Sequence, residues 1–90
     1  MSKKIGIAGL GALGSFVARA LESGIDGYTL HAISDPAPKA DFGVPNIDFD
    51  TLAKECDLII ETLPPAIVPD LCRACEKYDR DILLISSSAA

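Results

Sequence analysis

Apolar positions fall into two rhythms along the chain. Short, nearly unbroken runs (Ile5-Gly6-Ile7-Ala8, Leu58-Ile59-Ile60 and Ile82-Leu83-Leu84-Ile85) are separated by segments whose apolar residues recur every three or four positions. A strand buried on both faces needs the first rhythm and a helix resting on a core needs the second. The runs predict strands over 4–8, 57–61 and 81–86, with a further strand over 28–34 that ends at Asp35-Pro36, where proline breaks the ladder. Leu13, Phe16, Val17, Ala20 and Leu21 form one stripe of a helix over 12–23, closed by Ser23-Gly24. Val68, Leu71, Cys72, Cys75 and Tyr78 form the stripe of another over 68–78, with Pro69 in its first turn.

Residues 36–50 are the least regular part. Pro36, Pro38, Gly43 and Pro45 leave little room for a full crossover helix, so a short loop-like connection is expected there. Asn46 to Phe49 reads as a brief third strand at the sheet edge, and Asp50 as the cap of a short helix over 51–55. Strands alternating with helices at this spacing specify an α/β fold with a parallel sheet. The expected architecture is Rossmann-type, strand order 3-2-1-4-5, truncated after the fifth strand.

This topology collects the chemistry at one edge. The first strand runs directly into Gly9-Leu10-Gly11-Ala12-Leu13-Gly14, a helix leaves it, and Asp35 follows 21 positions after Gly14. Each part has a task if the ligand is a dinucleotide. Gly9 permits the tight turn, Gly11 lets the backbone approach the pyrophosphate, and Gly14 lets helix and strand pack closely. Amides around Ala12 and Leu13 present the positive end of the helix dipole to the phosphates. Asp35 would accept from the adenosine ribose hydroxyls and repel a 2′-phosphate, which favours NAD, with NADP possible. Lys39 is the nearest cation after it. The Leu63-Pro64-Pro65 loop reads either as a strand end and helix start or as a stiff wall beside the nicotinamide-side ribose. Ser86, Ser87 and Ser88 read either as a polar loop or as donors near the nicotinamide.

Composition narrows the partners. A net charge of −5 argues against nucleic acid and against an anionic membrane, both of which want basic surface. No apolar run approaches the roughly 20 residues of a membrane span. The apolar stretch after Met1-Ser2-Lys3-Lys4 is interrupted by glycines, so it reads as strand and turn rather than signal, and a cytoplasmic location is expected. Cys56, Cys72 and Cys75 are expected as free thiols. Cys72-Arg73-Ala74-Cys75 has the spacing of a zinc or redox half-site, but it lies within a helical pattern without a second pair, and packing is the expected role. His31, mid-strand, reads as structural. No metal site and no catalytic residue are assigned.

Lys4 to Gly14, Ile33-Ser34-Asp35, Asp57 to Glu61 and Leu63-Pro64-Pro65-Ala66 together resemble the amino-terminal NAD(P)-binding domain of the L-aspartate dehydrogenase family. The resemblance spans nearly the whole chain. It implies reversible NAD(P)-dependent oxidation of L-aspartate to iminoaspartate, and thence oxaloacetate and ammonia. There are two departures. Ser86-Ser87-Ser88-Ala89-Ala90 lacks a glycine expected near the end of that loop, and the family's catalytic histidine lies in a second domain without counterpart here. Residues 1–90 are therefore expected to form one dinucleotide-binding domain, a piece of a longer two-domain enzyme and inactive alone. Its apolar last strand, left at an edge, predicts a homo-oligomer. The alternatives are the cofactor domain of a homoserine-dehydrogenase-like or sugar-oxidoreductase-like enzyme, and a non-enzymatic NAD-sensing module.

Overall fold

The computed structural model describes residues 2–36 and 42–85. Its elements are β1 (Lys3–Ala8), α1 (Ala12–Glu22), β2 (Tyr28–Ser34), α2 (Phe49–Glu55), β3 (Leu58–Glu61), α3 (Val68–Lys77) and β4 (Asp81–Leu84). The strands form one sheet in the order β2-β1-β3-β4 with every pair parallel. β1, whose last four residues are all buried, takes the centre, where both faces are covered.

Side chains alternate across that strand and divide the core in two. Ile5 and Ile7 join Ala18 and Leu21 of α1, together with Leu30, Ile33 and Ile60. Ala8 faces the other side, with Ala32, Ile59, Leu52 and Ala53 of α2, and Leu71 and Cys75 of α3. The register of β2 against β1 slips by one residue at His31, since Ile5 pairs with Leu30 but Gly6 with Ala32. That bulge lets Leu30 and Ile33, three apart in sequence, enter the same half of the core. His31 occupies the bulge and pairs with Glu55 of α2, Nε2 to Oε1 at 3.0 Å, in the structural role expected of it.

Helix ends follow local chemistry, with one correction. Gly24 closes α1 at φ +103°, a conformation that favours glycine. α2 begins two residues before the expected Thr51, and its cap is Asp48 rather than Asp50: Asp48 Oδ1 accepts from Thr51 N at 2.9 Å. Phe49 is half-buried against the core, which draws the first turn forward. Asp50 instead ties α2 to α3, accepting from Lys77 Nζ and from the Tyr78 hydroxyl, each at 3.1 Å. The hydrogen bond from Thr51 holds the Asp48 carboxyl below its ordinary value. Its contribution to α2 is therefore present above the usual aspartate range and disappears as pH falls through the lowered value.

The expected third strand is not formed. In its place Asn46 makes a single parallel bridge to Ile33, with Ile33 N donating to Pro45 O at 3.0 Å and Ile47 N to Ile33 O at 2.8 Å. Pro45 has no N–H to give the ladder, so the pairing stops there. The bridge still lies outside β2, so the 3-2-1-4-5 order survives as four strands and one rung. At the other edge β4 ends at Leu84, and Ile85 N adds one bond to Glu61 O at 3.1 Å. Leu83 and Leu84 are about half exposed, at 50% and 47%. Ser86 to Ala90, and with them the serine loop, lie outside the described residues, as does Lys39.

The three cysteines are free thiols. Cys75 sits in the packing face of α3, where burial pushes its thiol above the ordinary value. Cys56 is fully buried, and desolvation, aided by Glu55, pushes it to about 11. Its sulfur also explains a glycine. A Cβ on Gly6 would lie 2.7 Å from Leu52 Cδ1 and 2.8 Å from Cys56 Sγ, so α2 rests on bare backbone there. Both neighbours are wholly buried and have no room to withdraw. Gly6→Ala is expected to destabilise the domain by about 1–3 kcal/mol through overpacking. Urea unfolding measures it, and an unchanged midpoint would show that α2 rides outward at no cost.

Candidate functional site

A cleft of about 570 Å³ opens at the carboxyl ends of β1, β2 and β3. Seven of the residues singled out in the sequence line it: Gly9, Leu10, Gly11, Asp35, Leu63, Pro64 and Pro65. Ala12, Leu13 and Gly14 form the first turn of α1 directly behind. Pro36, Thr62 and Ile67 complete the lining and were not foreseen.

The three glycines of the turn differ in what they do. Gly9 has φ +92°, and a Cβ there would lie 2.7 Å from the Thr62 carbonyl oxygen, so the turn itself requires glycine. A Cβ on Gly14 would lie 2.0 Å from the Gly9 carbonyl oxygen and 2.6 Å from Thr62 Oγ1, so the helix packs on the turn through its missing side chain. Gly11 is another matter. Its φ of −69° and ψ of −164° are extended backbone open to any residue, and a Cβ there meets nothing within 4 Å. Neither conformation nor packing accounts for this glycine.

Gly11 is also the N-cap of α1. No side chain caps the helix among the described residues, and its first turn contains no acid. The first intrahelical donor is Ser15 N, to Gly11 O at 2.9 Å. The amides before it, those of Ala12, Leu13 and Gly14, lie at the positive end of the dipole without an acceptor in the helix. A helix start left in this condition suits an anion.

Asp35 forms the neighbouring wall. Its Oδ2 accepts from Leu10 N at 2.6 Å, joining the end of β2 to the glycine turn. Its backbone is gripped by Asn46, with Asp35 N donating to Oδ1 at 3.0 Å and Nδ2 donating to Asp35 O at 2.6 Å. Opposite, β3 delivers Thr62, whose N donates to Ala8 O at 2.9 Å and whose Oγ1 donates to Gly9 O at 2.6 Å. Glu61, fully buried, accepts from Leu63 N at 2.6 Å, and Ile67 N donates to Pro64 O at 2.9 Å. The proline loop is thus tied at both ends, with Pro64 and Pro65 exposed between them. Glu61 reads in the sequence only as the end of the strand over 57–61, with no role of its own. Thr62 and Asn46 carry no site signal either, because their partners lie 53 and 11 positions away.

Among the described residues no group of three or more His, Cys, Asp or Glu side chains could hold a metal ion, and no helix is long and apolar enough to cross a membrane. No protein-family model matches the chain. It is 29% identical over 94 aligned positions to L-aspartate dehydrogenase 3 of Bordetella bronchiseptica, an alignment covering 94% of this chain and 35% of that protein. The chain is similar to the amino-terminal part of the L-aspartate dehydrogenase family.

Solved structures extend the comparison. A probable dehydrogenase from Thermotoga maritima superposes with a TM-score of 0.77 at 27% identity, covering 90% of this chain and 27% of that one. The scyllo-inositol dehydrogenase of Lactobacillus casei, solved with NAD(H) and scyllo-inositol, gives 0.79 at 23% identity, covering 93% and 28%. At that identity the second likeness establishes the fold, which is Rossmann-type, as expected. The chain spans about a third of the length of the aspartate dehydrogenase relative, 35%.

The hydroxyl of Thr62 holds the carbonyl of a buried glycine, so its loss leaves that oxygen without its partner. Thr62→Val, near-isosteric, is expected to cost about 1–3 kcal/mol. Urea unfolding tests this, and a midpoint equal to that of the parent chain would mean that the bond does not hold the turn.

Proposed function

We propose that this chain is the NAD(P)-binding domain of an oxidoreductase of the L-aspartate dehydrogenase type, with NAD as its preferred cofactor. The observation that carries the reading is Gly11, a glycine that the fold does not need, at the mouth of the cleft and at the uncapped start of α1. A pyrophosphate is the group for which such bare backbone is suited, being anionic and too bulky to pass a Cβ.

The remaining residues fit the rest of a dinucleotide. The amides of Ala12 and Leu13 would hold the phosphates, and Asp35 would accept from the adenosine ribose hydroxyls. Its charge disfavours a 2′-phosphate at the same place, which gives the preference for NAD over NADP. Leu63, Pro64 and Pro65 would bound the nicotinamide half with a rigid apolar wall. When bound, the cofactor supplies a hydride acceptor or donor; the chain's own contribution is to bind and orient it.

Substrate chemistry belongs elsewhere in this reading. His31 is paired with Glu55, away from the cleft lining, and no other histidine exists in the sequence. Residues 1–90 are then the cofactor half of a two-domain enzyme, and the acid–base group acting on L-aspartate comes from the other half.

Calorimetric titration of the chain with each dinucleotide tests the assignment. NAD is expected to bind more tightly than NADP; equal or tighter NADP binding would remove Asp35 from the ribose pocket. Gly11→Val would fill the space in front of the helix without disturbing its start. Affinity for NAD should fall at least tenfold, about 1.4 kcal/mol, with the circular dichroism spectrum preserved. Unchanged affinity in that variant would defeat the pyrophosphate assignment.

A further inference from the structure

The acid at the cleft wall is not held by its own strand alone. β2 ends at Ser34, and Pro36 offers no N–H beyond it, so the ladder has little with which to fix residue 35. Asn46 takes over that task. Its planar amide receives the Asp35 N–H at 3.0 Å and donates to the Asp35 carbonyl at 2.6 Å, engaging both backbone polar groups of one residue. Two bonds from one rigid plane fix orientation as well as distance. Asn46 is itself immobilised, because the lone rung to Ile33 is made by the residues on either side of it, Pro45 O and Ile47 N.

The carboxylate is held from the opposite side, Oδ2 on the Leu10 amide at 2.6 Å. Asp35 thus stands on a partition, with the main cleft on one side and a recess of about 420 Å³ on the other, which Asn46 helps to line. Asn46 is exposed, so water would satisfy its amide equally well. Relief of a buried polar group does not explain the double bond; the aim of the Asp35 side chain does.

The geometry points to Asn46 as a positioning residue that sets the discrimination between NAD and NADP, acting through Asp35 without itself needing to touch the cofactor. The inference rests on the proposed role of Asp35 at the ribose. Hydrogen bonds to a pair of hydroxyls tolerate little displacement of the acceptor, and repulsion of a 2′-phosphate depends on the charge staying where that phosphate would sit. A loosened Asp35 gives up both at once. NAD affinity drops, while NADP loses a repulsion.

Titration of the full chain, three single variants and one double variant with NAD and NADP decides it. Asn46→Ala is expected to weaken NAD by about fivefold, the worth of one hydrogen bond, and to leave NADP unchanged or tighter. In an Asp35→Ala background the same substitution should have no further effect, since the two residues act as one unit. Asn46→Ser keeps a polar, uncharged side chain there but is too short to bridge both backbone groups of Asp35, and should weaken NAD by a similar factor. This second variant carries the test if Asn46→Ala loses the parent circular dichroism spectrum. Equal losses for both dinucleotides, or full additivity with Asp35→Ala, would make Asn46 merely structural and overturn the inference. If Asp35→Ala itself leaves NAD binding intact, the ribose assignment fails and the role of Asn46 falls with it. If Asp35→Ala weakens NAD while both Asn46 variants keep the parent preference, only the Asn46 inference is lost.

Discussion

The hydrogen bond from Thr62 Oγ1 to the Gly9 carbonyl is the contact on which the site depends. It joins the end of β3 to the turn that leaves β1, at the point where α1 comes closest to both. Gly14 makes the approach possible, since a Cβ there would fall 2.0 Å from the same carbonyl oxygen. Three elements therefore meet at one oxygen atom. Moving any of them tilts the first turn of α1, and with it the amides that face the cleft. The rest of the wall is attached to this junction by Leu10, whose N–H holds Asp35 and whose carbonyl accepts from Ser15 Oγ at 3.1 Å.

Features decided within a few residues of each other were legible in the sequence. The glycine turn, the stripe of α1, the left-handed Gly24, the proline break after β2 and the edge-on position of Asp35 all follow from local pattern. The choice of Asp48 over Asp50 as a cap was ambiguous for a local reason, because two acids flank Phe49 and only the burial of that ring selects between them. The third strand stopped at one rung because Pro45 has no donor on one side, while on the other Asp35 N goes to the Asn46 side chain and α2 begins at Phe49. Thr62, Asn46 and Gly6 were hidden for a different reason. Each owes its role to a residue brought near only by folding, and Gly6 looked like an ordinary member of an apolar run. Its bareness records the approach of Leu52 and Cys56, about 50 residues later in the chain.

Charge acts at two ranges here, with opposite sign. The chain as a whole is acidic, at −5, which repels an anionic ligand from a distance. Within the cleft the nearest fixed field is that of an uncapped helix start without an acid in its first turn. The long-range term is damped by salt beyond roughly 10 Å, whereas amides within hydrogen-bonding reach of a phosphate are screened far less. Asp35 is the acid that lines the cleft, and in the proposed reading it supplies selectivity, a negative charge where a hydroxyl pair would be welcome and a phosphate would not.

Because every strand pair is parallel, no pairing closes through a tight hairpin, and each waits for a crossover to bring the chain back. The central strand, β1, is the first to be synthesised, yet its second partner arrives only with Leu58 to Glu61. Closure of the sheet must wait for that long loop to be fixed, which places the domain among slow, non-local folders. The glycine turn shares this timing, for its carbonyl lock comes from a residue 53 positions downstream. A nascent chain carrying the complete glycine string still lacks the lock that fixes the turn. The cleft matures only when the sheet does, so a dinucleotide bound there, as proposed, would select finished molecules and stabilise them alone.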